Sequence, residues 1–229
     1  MIFFPTIFPE EIVIAGFDTR KEQFFNSKKI NSFFGTKNIF AIKQVHSTKV
    51  VPISQSDTPS KFSLIEGDAM ITSRKGILLV IRVADCVPVL LFDANMMCIA
   101  AVHCGWRGIS GGIIKKTIKE LGSIFKSSPE NIYSAIGPSI GPCCYEIGSD
   151  VAKILENSCQ ATHVITSRNE KLFADLKEIV KIQLIQEGVI PDNIETIPLC
   201  TRCNPHLFYS YRRGDEKLRQ FGFIGLVDK

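Results

Sequence analysis

The sequence has 229 residues, of which 45% are hydrophobic and 22% are charged, and its formal net charge is +4. This is the balance of an ordinary globular protein, with enough apolar residues for a sizeable core that needs no disulfides. The weak, dispersed positive charge argues against a nucleic-acid partner, and no apolar run reaches the length of a membrane span.

The N-terminal segment and the cysteines indicate the cellular compartment. Residues 1–11 are apolar, but Pro5 and Pro9 interrupt them, and they lack the basic region and small-residue cleavage site of a signal peptide. The eight cysteines do not follow the pattern of a small secreted scaffold stabilised by disulfides. We therefore expect a reduced, cytoplasmic protein with no membrane partner.

The N-terminal third of the chain is predicted to consist mainly of strands. Apolar runs rich in β-branched residues predict strands at 11–18, 38–47, 49–53 and 67–73, with a short helix at 27–35 and a loop at 54–66. We expect the runs 38–47 and 49–53 to form a strand pair that bends near His46.

Three strongly apolar runs follow, and each has the length of a buried strand: ILLVIRVAD, PVLLFD and MCIAAVH. The first run ends at Asp85-Cys86, and the third ends at His103-Cys104-Gly105. The polar ends therefore lie where strands run into turns. This pattern predicts a core that presents a few reactive side chains at the ends of its strands.

The remainder of the chain alternates between helices and strands. Apolar residues at helical spacing predict helices from about 109 to 125, near 149–157 and at 172–187, the last capped by Gly188. Residues 132–137 and 221–227 are predicted strands, and residues 200–214 are irregular and basic. The whole chain, residues 1–229, is predicted to form one α+β domain with mixed sheets flanked by helices.

His46, Cys86 and His103 are candidate metal ligands. One thiolate and two imidazoles make a tetrahedral zinc set with one open position, which is the catalytic form of a zinc site. The spacing is not that of a zinc finger, however. A cysteine at a strand end is commonly a small buried hydrophobe, with a hydrogen-bonded histidine beside it. The residues alone leave both interpretations open.

The other cysteines have no assigned role. Cys200 and Cys203 form a CxxC pair near His206, which is typical of half a zinc site or of a redox pair. No second CxxC completes a structural site, so the sequence favours unpaired thiols in a loop. The adjacent Cys143 and Cys144 are expected to be free thiols. Cys98, Cys159 and His163 are assigned to packing or to the surface.

Three arginines suggest an anionic ligand. Arg107 follows Gly105-Trp106, and Arg212-Arg213 follow an aromatic segment, Tyr209-Ser210-Tyr211. The planar fork of arginine suits phosphate or carboxylate groups. A solvated basic edge is the alternative for each arginine alone, but the aromatic neighbours favour an anion site beside a planar ring.

Several sequence blocks resemble the YfiH-type laccase-domain (polyphenol oxidase) family: KQVHSTKV, GDAMIT, ADCVPVLLFD, AAVHCGWRG, IGPSIGPCCYEIG and FYSYRRG. The resemblance implies a compact α/β sandwich. It also implies metal ligands at His46, Cys86 and His103. Three positions depart from the family pattern without removing a ligand, namely Val83, Ser47 and Cys104, and Cys104 places a second thiol near the site.

The resemblance implies a zinc-dependent purine nucleoside phosphorylase that acts on adenosine, inosine and methylthioadenosine and also deaminates adenosine. Zinc lowers the pKa of bound water and so provides a nucleophile near neutral pH. Arg107, Arg212 and Arg213 are then candidates for holding phosphate. Asp85, beside the metal cysteine, is either a proton carrier, an orienting residue or simply a turn residue.

Three alternative functions remain at this point. Copper-dependent polyphenol oxidation follows from the family's older name, but a multicopper laccase needs many histidines and this chain has four. A cysteine hydrolase would use Cys86 as nucleophile and His103 as base, which a bound metal would prevent. Hydrolytic editing of peptidoglycan precursors is also compatible with the family. Neither the physiological metal nor the oligomeric state follows from the sequence.

Overall fold

Fourteen strands and five helices lie in the part of the chain that the structure describes, which is residues 1–20 and 38–228 of a computed structural model. The strands are β1 (Ile2–Phe3), β2 (Val13–Asp18), β3 (Ile39–Phe40), β4 (Val50–Pro52), β5 (Ala69–Thr72), β6 (Leu78–Val83), β7 (Val87–Asp93), β8 (Cys98–Cys104), β9 (Ile132–Ile136), β10 (Glu146–Ile147), β11 (Ile165–Arg168), β12 (Lys171–Ala174), β13 (Ile194–Thr196) and β14 (Gln220–Leu226). The helices are α1 (Pro59–Phe62), α2 (Trp106–Ser110), α3 (Ile113–Phe125), α4 (Ser149–Cys159) and α5 (Leu176–Gln186).

Two mixed sheets form the centre of the fold. The five-stranded sheet has the order β1-β2-β14-β6-β3, and the six-stranded sheet has the order β13-β9-β7-β8-β5-β4. A small third sheet has the order β10-β12-β11. Phe17, Ile81 and Ile224 of the first sheet share one apolar core with Phe92 and Ala101 of the second. The two large sheets therefore pack face to face.

Helices cover the other face of the six-stranded sheet. Val89 and Val102 on that face belong to one core cluster with Ile114 of α3, Leu155 of α4 and Val180 of α5. Every residue of β7 and β8 is buried, because these strands are covered by a sheet on one side and by helices on the other. The result is a sandwich of two sheets and one helical layer.

The predicted fold class, α+β with mixed sheets flanked by helices, is confirmed. The strands predicted at 11–18, 67–73, 132–137 and 221–227 and the helix predicted at 149–157 are present with small changes in their ends. The helix predicted from about 109 to 125 is divided into α2 and α3, because Gly112 has a φ of 80° between them. The loop predicted at 54–66 contains only the short helix α1. The helix predicted at 27–35 lies outside the described residues.

Two predictions of secondary structure were wrong. β3 and β4 do not pair with each other, because β3 joins β6 in one sheet and β4 joins β5 in the other. The helix predicted at 172–187 begins only at Leu176, since residues 171–174 form the hairpin strand β12 with β11. Asp175 ends this strand and starts the helix, where its Oδ1 accepts a hydrogen bond from the Glu178 amide at 3.1 Å.

The crossing between the two sheets positions the candidate site. β6 lies in the five-stranded sheet and β7 in the six-stranded sheet, so residues 84–86 pass from one sheet to the other. Asp85 and Cys86 therefore lie at the open edge between the two sheets. No helix among residues 1–20 and 38–228 is both long enough and apolar enough to cross a membrane.

Candidate metal centre and active-site cleft

The structure brings His46, Cys86 and His103 together from three separate segments. His46 lies between β3 and β4, Cys86 lies between β6 and β7, and His103 lies within β8. One ligand atom of each residue lies within 4.8 Å of the other two. Cys86 Sγ is 3.8 Å from His46 Nε2, and the two imidazole rings are nearly perpendicular, with centroids 4.9 Å apart.

Asp68 holds both histidines, and sequence reasoning did not single it out. Its Oδ1 is 2.9 Å from His103 Nδ1 and accepts a hydrogen bond from the His46 amide at 3.0 Å. Its Oδ2 accepts from the amide and the hydroxyl of Ser47 at 2.6 and 2.7 Å. Asp68 is fully buried. It therefore leaves His103 Nε2 free for a metal and fixes the turn that carries His46.

The backbone at His46 requires this support. His46 has a φ of 58°, in the left-handed region that few residues with a β-carbon adopt. The three amides of residues 45–47 all point at the Asp68 carboxylate. Their hydrogen bonds offset the backbone strain at His46, and the turn directs the imidazole towards Cys86.

The electrostatics of the trio favour a thiolate. Burial alone would raise the pKa of the Cys86 thiol, but hydrogen bonds from His103 and His46 outweigh burial and lower this pKa to about 6. Burial would lower the pKa of His103, but hydrogen bonds to Asp68 and Cys86 raise it to about 9. The Asp68 pKa lies below its ordinary value because hydrogen bonds from His103 and Ser47 exceed the effect of burial.

Gly105 leaves room for the imidazole of His46, a role that its position in a turn did not reveal. A β-carbon on Gly105 would lie 2.7 Å from His46 Cδ2 and 3.4 Å from Cys86 Sγ. The neighbouring Cys104 is fully buried on the helix-covered face of the sheet. Burial raises the pKa of Cys104 well above its ordinary value, so it remains a neutral thiol.

The donor set fits a resident metal ion. Two imidazole nitrogens and one sulfur converge, and the second nitrogen of His103 is anchored by a buried carboxylate, as is usual for metal-binding histidines. Three protein ligands leave one coordination position for water or substrate. The same donors suit zinc or copper, so they do not select between these metals.

The trio lies on a cleft of about 810 Å³ that also contains aromatic and basic side chains. Trp106, Tyr145 and Tyr211 supply the aromatic part of its wall. Among the described residues, five basic side chains line the cleft: Arg82, Arg107, Arg212, Lys217 and Arg219. The cleft can therefore take a ligand that combines a planar ring with an anionic group.

Three of these basic residues, Arg82, Lys217 and Arg219, were not identified from the sequence. Arg82 is the one exposed residue of β6, whose other five residues are buried. An arginine inside an otherwise apolar strand was a signal that could have been used. Lys217 and Arg219 have no such signal, because a basic loop residue is ordinarily solvated.

Asp85 lies on the cleft wall, but its carboxylate is directed at neighbouring loops. Its Oδ1 accepts from the Thr201 hydroxyl at 2.6 Å, and its Oδ2 accepts from the Ser210 hydroxyl at 3.1 Å and the Arg212 amide at 2.8 Å. Asp85 has a φ of 85° and is buried. The carboxylate thus joins the loop of Cys86 to the segment of Arg212.

The three predicted arginines differ in position. The guanidinium carbon of Arg107 lies 4.4 Å from the centroid of the Trp106 ring, and that of Arg212 lies 4.8 Å from the centroid of the Tyr145 ring. Both line the cleft and are exposed. Their stacking presents two fixed cations at the cleft wall.

Arg213 is not among the residues that line the cleft. Its guanidinium donates to the carbonyl oxygens of Phe208 at 2.6 Å and Thr201 at 3.0 Å, and it also bonds the carboxylate of Asp215. These contacts lie within residues 201–215. The structure thus brings Arg107 and Arg212 to the cleft with Asp85 and the three candidate metal ligands, whereas Arg213 does not line it.

Comparisons with known proteins agree with this architecture. A family model described as multi-copper polyphenol oxidoreductase laccase matches residues 16–227. A protein of Clostridium acetobutylicum named purine nucleoside phosphorylase is 36% identical over 201 residues, which are 87% of this chain and 81% of that protein. A protein of the same name from Aquifex aeolicus is 35% identical over 199 residues, covering 87% of this chain and 88% of that protein.

A solved structure is similar over almost its whole length. The crystal structure of the Bacillus licheniformis hypothetical protein YfiH has a TM-score of 0.83 and 27% identity, covering 93% of this chain and 92% of that chain. The family model spans nearly all of the sequence, and the relatives match over most of their own length. The chain therefore belongs to the laccase-domain family of YfiH type.

Proposed function

We propose that this protein is a zinc-dependent purine nucleoside phosphorylase that also deaminates adenosine. One observation carries the proposal: His46, Cys86 and His103 converge on a cleft that also holds stacked arginines and aromatic rings. Relatives named purine nucleoside phosphorylase, at 35 and 36% identity, support the same conclusion. Adenosine, inosine and methylthioadenosine are the proposed substrates.

The proposed zinc site consists of His46 Nε2, Cys86 Sγ and His103 Nε2. When bound, zinc would supply a Lewis acid with one open coordination position. Asp68 keeps His103 in the required orientation through the 2.9 Å contact with Nδ1. The low pKa of Cys86, about 6, means that its thiolate is present at neutral pH. Since this thiolate serves as a ligand, the cysteine hydrolase alternative is disfavoured.

The proposed anion site uses Arg107 and Arg212. Phosphorolysis forms a bond between a phosphate oxygen and C1′ of the ribose and breaks the bond from C1′ to the purine, which gives ribose 1-phosphate and free base. Arginine side chains hold phosphate through paired hydrogen bonds. Arg107 rests on Trp106 and Arg212 on Tyr145, so both guanidiniums are oriented before phosphate binds. Arg82, Lys217 and Arg219 add positive charge to the same wall.

The proposed base site uses the aromatic wall of the cleft. Trp106, Tyr145 and Tyr211 offer apolar faces on which a purine ring can stack. Burial raises the pKa of the Tyr145 hydroxyl to about 12, although Arg212 and Arg107 oppose this effect. Tyr145 is therefore a neutral hydrogen-bonding group at the pH of the reaction. Deamination of adenosine adds water to C6 and releases ammonia, so it needs the base site and no phosphate.

Asp85 is assigned an orienting role in this proposal. Three donors, from Thr201, Ser210 and Arg212, are directed at its two carboxylate oxygens. The carboxylate holds the Arg212 segment against the loop that contains Cys86. The setting of the reaction is proposed to be the cytoplasm, where cysteine thiols remain reduced.

Copper-dependent polyphenol oxidation is the second candidate, because the two imidazoles and the thiolate also suit copper and the family model has that description. The other two histidines do not join the site: His163 is exposed and lies 3.8 Å from Glu178, and His206 is exposed in the loop of Cys203. A trinuclear copper cluster, which is rich in histidine, has no place in this donor set.

The discriminating experiment measures metal content and then products. Protein purified without added metal is analysed for zinc and copper and is then incubated with adenosine, with and without phosphate. The proposal predicts zinc, release of inosine in both conditions, and adenine with ribose 1-phosphate only when phosphate is present. A parallel incubation with a phenolic substrate tests the oxidase, and one with a muropeptide precursor tests peptidoglycan editing. Activity on either of these, with no reaction of any nucleoside, would contradict the proposal.

A further inference from the structure

Four cysteines that are far apart in the sequence form a second cluster away from the His-Cys-His site. The sulfur atoms of Cys143, Cys144, Cys200 and Cys203 all lie within 4.8 Å of one another. Cys203 Sγ is 3.5 Å from Cys143 Sγ and 3.3 Å from Cys144 Sγ. Cys200 is buried, Cys144 is half-buried, and the other two are exposed.

The distances between the sulfur atoms fit a metal better than a disulfide. A disulfide bond would bring two sulfurs to about 2.05 Å. A tetrahedral zinc ion bound to four thiolates, each at about 2.3 Å, places its sulfurs about 3.8 Å from one another. The sulfur of Cys203 approaches those of Cys144 and Cys143 to 3.3 and 3.5 Å without a covalent bond between them. All four thiols are therefore close to the spacing that one central ion requires.

The backbone holds the two loops of the cluster in place. The Gly141 amide donates a hydrogen bond to Cys200 Sγ at 3.2 Å, as an amide does to a metal-bound thiolate. The Thr201 amide donates to the Ser139 carbonyl at 3.0 Å, and Ser139 and Cys200 form an isolated parallel bridge. Residues 139–144 and 200–203 therefore keep their sulfurs together through main-chain contacts, so the site is largely formed before an ion binds.

Basic side chains surround these loops. The guanidinium of Arg168 donates to the Pro142 carbonyl at 2.7 Å, and Lys177 Nζ donates to the Leu199 carbonyl at 3.2 Å. The guanidinium of Arg213 donates to the carbonyls of Thr201 and Arg202 at 3.0 and 3.2 Å. Zinc with four thiolates has a net charge of −2. Cations on the residues adjoining the cysteines offset that charge.

We propose that Cys143, Cys144, Cys200 and Cys203 bind one structural zinc ion. Four thiolate ligands close the coordination shell, so this zinc has no open position for substrate or water. The proposal does not depend on the function assigned to the His-Cys-His site.

The position of the cluster defines what the ion does. Tyr145 directly follows Cys144 and lines the cleft, while Thr201 directly follows Cys200 and donates its hydroxyl to Asp85 at 2.6 Å. An ion that joins the two loops would therefore hold the aromatic wall and the Asp85 contact in register.

The test is zinc stoichiometry by elemental mass spectrometry of protein purified without added metal. We expect about two zinc ions per chain in the wild type and about one in Cys203→Ser or Cys144→Ser. Cys86→Ala should also retain about one zinc ion, and this ion should be the one bound by the four-cysteine cluster. Cys98→Ala is the matched control and should retain both zinc ions. Failure of the His-Cys-His site is thus distinguished from failure of the cysteine cluster. Equal zinc content in the wild type and in folded Cys203→Ser would overturn the inference.

A second measurement uses the wild type alone and so does not depend on the folding of a variant. The protein is denatured in chelator without reductant, alkylated, and weighed as an intact chain. Free thiols at all eight cysteine positions of the sequence predict eight alkyl groups. A chain with two fewer groups, and a peptide that joins Cys203 to Cys143 or Cys144, would establish a disulfide and overturn the zinc site.

Discussion

The imidazole of His103 and the buried carboxylate of Asp68 are joined by a contact of 2.9 Å between Nδ1 and Oδ1. The same carboxylate accepts hydrogen bonds from the amides of His46 and Ser47. One acidic residue therefore orients two of the three proposed metal ligands, although it is not itself a proposed ligand. This arrangement makes Asp68 the residue whose replacement tests the design of the site most specifically.

Asp68→Asn should lower metal affinity by about 10- to 100-fold, which is the usual cost of losing a carboxylate behind a histidine ligand. The asparagine keeps the size of the side chain but removes the charge that faces His103. The measurement is a competition titration of the purified variant against a chelator. Asp93→Asn is the matched control, because Asp93 is equally buried and caps the turn at Asn95 and Met96, away from the trio. Equal affinity of Asp68→Asn and the wild type would contradict the assigned role.

Gly105→Ala should displace the imidazole of His46. The added methyl group would lie 2.7 Å from His46 Cδ2, which is closer than carbon atoms approach without a shift. We expect metal affinity to fall at least about tenfold, since ligand geometry must be kept within about 0.5 Å. Gly122→Ala in α3 is the control, because its new β-carbon meets only the Ser127 carbonyl, at 3.2 Å. Full metal loading of Gly105→Ala at wild-type affinity would show that His46 is not constrained as described.

Arg212→Ala and Arg213→Ala should have different effects although the residues are neighbours. Arg212 faces the cleft, so its loss should reduce kcat/KM for phosphorolysis about tenfold or more, the value of one charged hydrogen bond, and leave adenosine deamination nearly unchanged. Arg213 holds the backbone of residues 201–215, so its loss should lower the free energy of unfolding by about 1–3 kcal/mol. Equal losses of phosphorolysis and deamination in Arg212→Ala would contradict the assignment of Arg212 to phosphate binding.

The Arg213–Asp215 pair should make stability depend on pH in the acid range. Hydrogen bonds from the Ser210 amide and Arg213 hold the Asp215 pKa below its ordinary value, despite partial burial. A lowered folded-state pKa contributes stability that is present above the unfolded pKa of about 3.9 and is lost as pH falls through the folded value. Asp215→Asn should therefore be less stable than the wild type at neutral pH, by no more than about 1 kcal/mol because the pair is partly exposed.

The measurement is urea unfolding of both proteins between pH 7 and acid pH. The difference between them should shrink below about pH 4, as protonation removes the charge of the wild-type carboxylate. Arg213→Ala provides the check, because in its background Asp215→Asn should produce a smaller pH-dependent difference. A difference that stays constant down to acid pH would mean that the pair contributes nothing through its charge.

Cys98→Ala should affect stability and not the metal. Cys98 is buried at the start of β8, and burial raises the pKa of its thiol to about 12. Removal of its sulfur leaves a small cavity that should cost on the order of 1 kcal/mol. Metal content should equal that of the wild type. A variant that loses metal would show that Cys98 takes part in a site.

His46, Cys86 and His103 could be proposed as one group from the sequence because Cys86 and His103 lie at the polar ends of apolar runs, and because the family resemblance selected all three. Asp68 could not be predicted in this way. It directly precedes β5, and its importance comes from segments that meet around it only in the folded chain. The predicted pairing of β3 with β4 was wrong for a related reason, because the left-handed turn at His46 lies between them and each strand joins a different sheet.

The cysteine cluster shows a different limit of pattern reading. Cys200 and Cys203 match half of a zinc motif, but their partners are the adjacent Cys143 and Cys144 and not a second CxxC. The two halves are separated by more than fifty residues, and contacts such as the Ser139–Cys200 bridge and the Gly141–Cys200 hydrogen bond join the loops only in the folded chain. Arg212 and Arg213 follow the same aromatic segment in the sequence, yet successive residues in a short helical turn point in different directions.

The most direct test of the account measures phosphate-dependent cleavage of inosine by metal-loaded wild-type protein and by Cys86→Ala. Hypoxanthine and ribose 1-phosphate are quantified after equal incubation, and circular dichroism verifies that the variant is folded. We expect both products in equal amounts from the wild type, neither product without phosphate, and a loss of activity of at least about 100-fold in Cys86→Ala, because a soft metal ligand is removed. Wild-type rates in folded Cys86→Ala, or no phosphate requirement in the wild type, would contradict this expectation.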